Sequence, residues 1–119
     1  SETYNIVKPI FATLNPFAIH RVKFNATSRT TEIQEKPLHV DITGPSDSPE
    51  PPFENVPDYN ICVIYFNDNN GYTYFEDGQK VVSKENRAVI FPGNFLHAGT
   101  SCTDASLRVV LNIDYSKWC

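Results

Sequence analysis

No stretch of this 119-residue sequence approaches the roughly 18 consecutive apolar residues that a membrane-crossing helix needs. Nor does a basic segment followed by an apolar one stand at its start, so the sequence reads as a soluble, cytoplasmic protein without a secretion signal. Cysteine is sparse. Cys62, Cys102 and Cys119 are odd in number, far apart and without a C-x-x-C pair, which argues against a disulfide framework and for free thiols in a reducing compartment. The Asn25-Ala26-Thr27 acceptor triplet therefore carries little weight as a glycosylation site. Positive charge is also short: 10 Lys and Arg stand against 14 Asp and Glu, for a net charge of −4. That balance disfavours a surface that coats nucleic acid. No internal repeat is present, and no segment keeps an apolar stripe at helical spacing. Any helix is short and falls within the first 15 residues.

What is there reads as strands. The length suits one domain over residues 1–119, large enough for a modest core. The apolar run Ile61 to Phe66 is followed by Asn67-Asp68-Asn69-Asn70-Gly71 and then by Tyr72 to Phe75, which predicts a β-hairpin. Asp77-Gly78 turns into Lys80-Val81-Val82-Ser83, and Ala88 to Phe91 is closed by Pro92-Gly93. Between Arg108 and Tyr115 the residues alternate. Val109, Leu111, Ile113 and Tyr115 mark a core face, while Arg108, Val110, Asn112 and Asp114 face either solvent or a wet cavity. Val22 and Phe24 alternate in the same way with Arg21, Lys23 and Asn25, for a strand near 19–27. The class is all-β, a sandwich or barrel.

Gly44 to Pro57 breaks the pattern. Five of the nine prolines fall there, so the segment cannot supply ladder donors and reads as an exposed loop. It starts three residues after Asp41, where it could serve as a lid with Phe53 as an apolar plug. Its Asp47, Glu50 and Glu54 would favour a basic or neutral substrate.

Chemistry concentrates in His39-Val40-Asp41, His97 and Arg108. In a strand, residues two apart share a face, so His39 and Asp41 would point the same way. With His97, 58 residues further on, they form the two-histidine, one-carboxylate set that holds Fe(II) on one side and leaves open positions. Arg108 could grip a carboxylate with its planar fork. Each residue alone has an ordinary reading: His39 in a polar notch, Asp41 in a turn before Gly44-Pro45, His97 in a surface loop. Together, in an all-β chain, they read as a site.

Five segments carry a resemblance to a known family. They are Leu38-His39-Val40-Asp41, Ile64-Tyr65-Phe66-Asn67, Asn86-Arg87-Ala88-Val89-Ile90-Phe91, His97-Ala98-Gly99-Thr100 and Arg108-Val109-Val110-Leu111-Asn112-Ile113. Over residues 38–115 the chain resembles the Fe(II)- and 2-oxoglutarate-dependent oxygenases, especially the prolyl-hydroxylase-like group and its short viral and marine microbial members. The resemblance implies a double-stranded β-helix, or jelly roll, of cupin-like form. It implies a hydroxylase that couples oxidative decarboxylation of 2-oxoglutarate, to succinate and carbon dioxide, with oxidation of a prolyl, protein or small-molecule substrate. By matching position, His39, Asp41 and His97 resemble the iron ligands, Arg108 the partner of the distal carboxylate, and Tyr65 the tyrosine that assists it. Asn112 and Asn25 are further candidates for the cosubstrate pocket. Fe(II), 2-oxoglutarate and ascorbate are the implied cofactors.

Two departures stand out. Val110 occupies the place where many relatives carry Ser or Thr, and the N-terminal helices that buttress the outer sheet are largely missing. The apolar face of Val109, Leu111 and Ile113 must then be covered by residues 1–18 or by a second copy of the chain. Two alternatives remain at this point: a cupin-like metal enzyme of the isomerase type, which usually shows more histidines than the three here, and a non-catalytic jelly-roll binding module.

Overall fold

The first element, α1 (Glu2–Leu14), is stopped by its own sequence. Asn15 takes a positive φ of 45° and donates its backbone N–H to the Phe11 carbonyl at 2.8 Å, and Pro16 cannot continue the helix. The structure, a computed structural model, describes residues 2–42 and 58–116, with side chains from Lys8 onward. The proline-rich loop from Gly44 to Pro57 lies outside the described residues.

Seven strands follow within the described residues: β1 (Ala18–Ser28), β2 (Asn60–Tyr65), β3 (Tyr72–Phe75), β4 (Lys80–Val82), β5 (Ala88–Pro92), β6 (His97–Gly99) and β7 (Leu107–Ser116). They form two antiparallel sheets, a larger one in the order β1-β7-β2-β5 and a smaller one in the order β4-β3-β6. Residues 35–39 extend the smaller sheet beyond β6 through bridges at Glu35–Thr100 and His39–His97. Counting that segment, eight strand-like pieces divide four and four between two sheets, as in a jelly roll. This is the double-stranded β-helix.

The alternation in β7 decides where everything sits. Its odd residues Leu111, Ile113 and Tyr115 pack with Cys62 on the outer face of the larger sheet, and Ile10, Phe11 and Leu14 of α1 cover them. One short helix thus does the covering that the sequence left open between residues 1–18 and a second copy. The inner face joins the two sheets. Ile61, Val63, Tyr65, Phe91 and Val110 are buried there against Phe75 and Val81 of the smaller sheet. The register pairs Lys23 with Asn112, Asn25 with Val110 and Thr27 with Arg108, so the polar rows of β1 and β7 share one face. That face looks into the barrel.

One expectation is overturned. β2 and β3 do not form a hairpin, because β2 pairs with β5 and β7 while β3 pairs with β4 and β6. The asparagine-rich turn crosses from one sheet to the other instead. Asn67 donates to the Leu107 carbonyl and accepts from the Val109 N–H, and Asn70 bonds Thr103 and the Asp104 carboxylate. Those bonds hold the turn to the start of β7 rather than closing a two-stranded ribbon. The Asp77-Gly78 turn does make a hairpin of β3 and β4, with Gly78 at φ 90°.

Leu111 is fully buried and Leu107, on the same strand, is half exposed. Leu111→Ala should cost about 2–5 kcal/mol in urea unfolding and Leu107→Ala less than about 0.5 kcal/mol. Equal losses would place the outer core elsewhere.

Candidate metal centre

The backbone brings the first two ligand candidates together. His39 N–H donates to the His97 carbonyl at 2.9 Å, and His97 N–H returns a bond to the His39 carbonyl at 3.0 Å. Directly opposed residues in an antiparallel pair project their side chains to one side. The two imidazoles accordingly stand with ring centroids 4.8 Å apart. Asp41, two residues beyond His39, reaches both: its Oδ1 lies 3.3 Å from His39 Nε2 and 3.1 Å from His97 Nε2. One donor atom from each residue falls within 4.8 Å of the others.

The chemistry of this donor set fits a cation. His97 Nδ1 lies 2.9 Å from the Phe95 carbonyl and His39 Nδ1 lies 3.1 Å from the Pro37 carbonyl. A carbonyl can only accept, so each Nδ1 carries a proton, and each Nε2 faces Asp41, donating to it when protonated and free to ligate a metal ion when not. Two lone pairs facing a carboxylate oxygen repel it unless a proton or a metal ion lies between. Ligands at about 2.1 Å from one ion stand roughly 3 Å apart when they meet at right angles, close to the two separations from Asp41. His97 and Asp41 are almost wholly buried, while half of the His39 side chain is exposed. The open side of such a site faces the His39 edge.

Electrostatics around Asp41 is tightly arranged. Burial works to raise its pKa, but bonds to His39 and His97 outweigh it and hold the carboxyl well below its usual range. His39 is shifted upward, chiefly by its bond to Asp41. Beside them lies Asp114, fully buried, its carboxyl close enough to interact with that of Asp41. Burial, then the charge of Asp41, pushes it up to about 8. Tyr59 ties the ligand-bearing segments together. Its hydroxyl accepts the Ile42 N–H at 3.1 Å, one residue past Asp41, and donates to the Gly93 carbonyl at 3.0 Å, just ahead of His97.

Arg108 lies in the same cleft, whose volume is about 230 Å³. It is only 4% exposed. Its Nε donates to Ser83 Oγ at 3.1 Å and one terminal nitrogen to Thr73 Oγ1 at 3.4 Å, and it stands 5.7 Å over the Tyr65 ring. Glycine is required at 71, where a Cβ would come within 2.5 Å of Arg108 Cδ and 2.7 Å of the Ser101 carbonyl, and one on Gly99 would be tight, at 3.2 Å from a guanidinium nitrogen. Among the described residues the ion pairs are those of Asp41 with the two histidines, and none involves Arg108. Desolvation lowers its pKa, but a guanidinium keeps its proton. A buried cation without a counter-ion is a strong demand for an anion.

The other sequence candidates have definite places. Tyr65 is fully buried and its hydroxyl donates to Thr73 Oγ1 at 2.7 Å, so it reaches the Arg108 environment through Thr73. Asn25 and Asn112 both line the cleft, and the buried Asn112 Oδ1 has no partner among the described residues. The third histidine, His20, bonds Ser116 and stands apart from the cluster. Val110, where a hydroxyl was missed in the sequence, belongs to the core, and Thr73 and Ser83 supply hydroxyls to the guanidinium instead. No sequence signal marked those two, since each is a lone residue on or beside a short strand. Asp114, Arg21 and Lys23 had a signal: they share the alternating polar rows with Arg108 and Asn25. The described lining is also rich in cations, with Arg21, Lys23 and Lys36 beside Arg108, a sign opposite to that of the acidic loop from which a basic or neutral substrate was expected.

No family model matches the sequence, and no curated protein matches it. Among solved structures, an RmlC-like cupin protein from Desulfovibrio desulfuricans is 12% identical with a TM-score of 0.44, covering 78% of this chain and 81% of its own. Protein NMB1881 from Neisseria meningitidis is 14% identical with a TM-score of 0.45, covering 92% of this chain and 96% of its own. By its own strand order the chain is a jelly-roll, cupin-like protein. It carries a His/Asp/His group that could hold a metal ion.

Two measurements probe this arrangement. Tyr59→Phe strips the Ile42 N–H and the Gly93 carbonyl of a shared partner. It should cost about 1–3 kcal/mol of stability and weaken Zn(II) binding in competition with a chromophoric chelator. The second concerns pH. In the unfolded chain Asp114 ionises near its ordinary value of about 4, whereas in the fold it holds its proton up to about 8. The folded state therefore binds the extra proton between those limits, and stability falls as pH rises through them. The upward shift of His39 acts with the same sign. Urea unfolding of chelator-treated protein should show lower stability at pH 8 than at pH 5, and Asp114→Asn should shrink the difference. An unchanged difference would remove Asp114 from the account.

Proposed function

We propose that this chain is an Fe(II)- and 2-oxoglutarate-dependent oxygenase, a hydroxylase in type. The observation that carries the reading is Arg108: a buried guanidinium without an acidic partner among the described residues, in the cleft that also holds His39, Asp41 and His97. A metal-only site would have no use for a second, uncompensated cation. A site for a dicarboxylate that chelates at one end and is anchored at the other needs both.

In this reading His39, Asp41 and His97 hold the metal. Bound Fe(II) would supply the centre at which 2-oxoglutarate and dioxygen meet, so that decarboxylation to succinate and carbon dioxide is coupled to oxidation of the substrate. The chain's own residues do the positioning. The Pro37 and Phe95 carbonyls fix each imidazole with its proton on Nδ1 and its lone pair inward. Ser83 and Thr73 take two guanidinium N–H groups, which aims the rest of the fork at the cleft. Tyr65, bonded to Thr73, steadies that hydroxyl. Val63 and Val110 line the cleft between the polar groups and keep that wall dry.

A second reading is a cupin-like metal enzyme, isomerase in type, that uses no 2-oxoglutarate. The observation favouring it is that the Tyr65 hydroxyl already gives its proton to Thr73, with the Val81 carbonyl at 3.3 Å, rather than pointing it at an incoming carboxylate. One experiment separates the two. Anaerobic protein loaded with Fe(II) is titrated with 2-oxoglutarate while the visible absorption of the iron–2-oxo-acid chelate is followed. Saturable binding is expected in the wild type, weakened about 10- to 100-fold in Arg108→Ala and less in Arg108→Lys. No chelate, or unchanged affinity in Arg108→Ala with its fold intact, would leave the isomerase-type reading in place.

A further inference from the structure

The cleft of about 230 Å³ runs from the buried Arg108 to the metal ligands, and its open side lies at the half-exposed His39. A short acid on Arg108 takes its inner end. Whatever is acted on must approach at the mouth, beside the metal ligands. There the lining carries Arg21 and Lys23, while Lys36 pairs with Gly99 on the Arg108 side. Arg21 stands opposite Asp114 and Lys23 opposite Asn112, whereas Arg108 stands opposite Thr27. Six residues of strand separate Arg21 from Thr27, roughly 20 Å along β1. The two groups of cations therefore address different anions.

Nothing in the described residues neutralises the mouth. Neither Arg21 nor Lys23 is in an ion pair there, and the acid among the cleft-lining residues, Asp41, is already engaged by the two histidines. Arg21 lies close enough for its charge to act on both His39 and Asp114. The chain as a whole carries −4, so this basic lining stands against a net negative protein. A long polyanion would meet repulsion beyond it; a small one would not.

We propose that the substrate acted on at this site is a small anion, bearing a carboxylate or a phosphate, whose charged group is held by Arg21 and Lys23 at the metal end of the cleft. This deepens the reading above and rests on it for the placement of 2-oxoglutarate on Arg108. Carboxylate and phosphate present the same chemistry to these side chains, and the choice of probes tells them apart.

The test is an amide chemical-shift titration of the full 119-residue chain loaded with Zn(II), with and without saturating 2-oxoglutarate. Succinate and glycerol 3-phosphate are the anionic probes, glycerol the uncharged control and polyglutamate the polymeric one. With 2-oxoglutarate present, at least one small anion should shift residues 20–24 and 39 in a salt-sensitive way, and glycerol should not. The exposed double variant Arg21→Gln/Lys23→Gln should bind that anion about three- to ten-fold more weakly while binding 2-oxoglutarate as before. Unchanged affinity in the double variant, an equal response to glycerol, or tighter binding of polyglutamate than of either small anion would each overturn the proposal. Failure of the 2-oxoglutarate reading shows separately. In that case Arg108→Gln leaves the 2-oxoglutarate shifts intact, while the arm without 2-oxoglutarate still reads the mouth.

Discussion

The reciprocal pair of backbone hydrogen bonds between His39 and His97 is the constraint on which the rest of the site depends. It joins an irregular segment to a three-residue strand, and in doing so fixes which way both imidazoles face. Asp41 follows from it by strand periodicity alone. The Nδ1 bonds to Pro37 and Phe95 then orient the rings, and the Tyr59 hydroxyl clamps the segment past Asp41 to the approach to His97. Ligand geometry here is set by main-chain pairing first and by side-chain packing second.

Charge is distributed with the same economy. One end of the barrel holds two carboxyl groups, Asp41 and Asp114, close enough that the second keeps its proton. Further along the same strand Arg108 is buried among hydroxyls and close-packed glycines, with no acid paired to it among the described residues. Letting Arg108 and Asp114 pair would satisfy both groups. Six residues of β7 keep them apart, and each stays available to something else.

Much of this was legible in the sequence because period-2 patterning survives in β strands. The alternation from Arg108 to Tyr115 correctly separated a face packed on α1 from one lining a cavity, and the Arg21, Lys23 and Asn25 row obeyed the same rule. The i, i+2 spacing put His39 and Asp41 on one side, as it had to. What the sequence hid was sheet membership. A turn rich in asparagine between two β-prone runs looks like a hairpin whether the strands pair or part. Only the bonds of Asn67 and Asn70 to residues 33–40 positions away decide it. Thr73 and Ser83 were invisible for a related reason. Their role comes from lying across the barrel from Arg108, a relation that no local pattern encodes.

β7 is the last described strand along the chain, yet it lies inside the larger sheet, between β1 and β2. Until residues 107–116 are synthesised, β1 has no partner among the described residues and β2 presents an open edge, so the sheet cannot be assembled progressively from the N-terminus. Closure must bring Ala18 to Ser116 across nearly the whole chain. That loop-closure entropy is met before the contacts that reward it, which favours slow, late and cooperative folding. During translation the nascent protein therefore carries two unpaired edges, each a template for a wrong partner. Arg108, Asn112 and Asp114 arrive on that same strand. The pocket can acquire its polar wall only in the step that completes the fold.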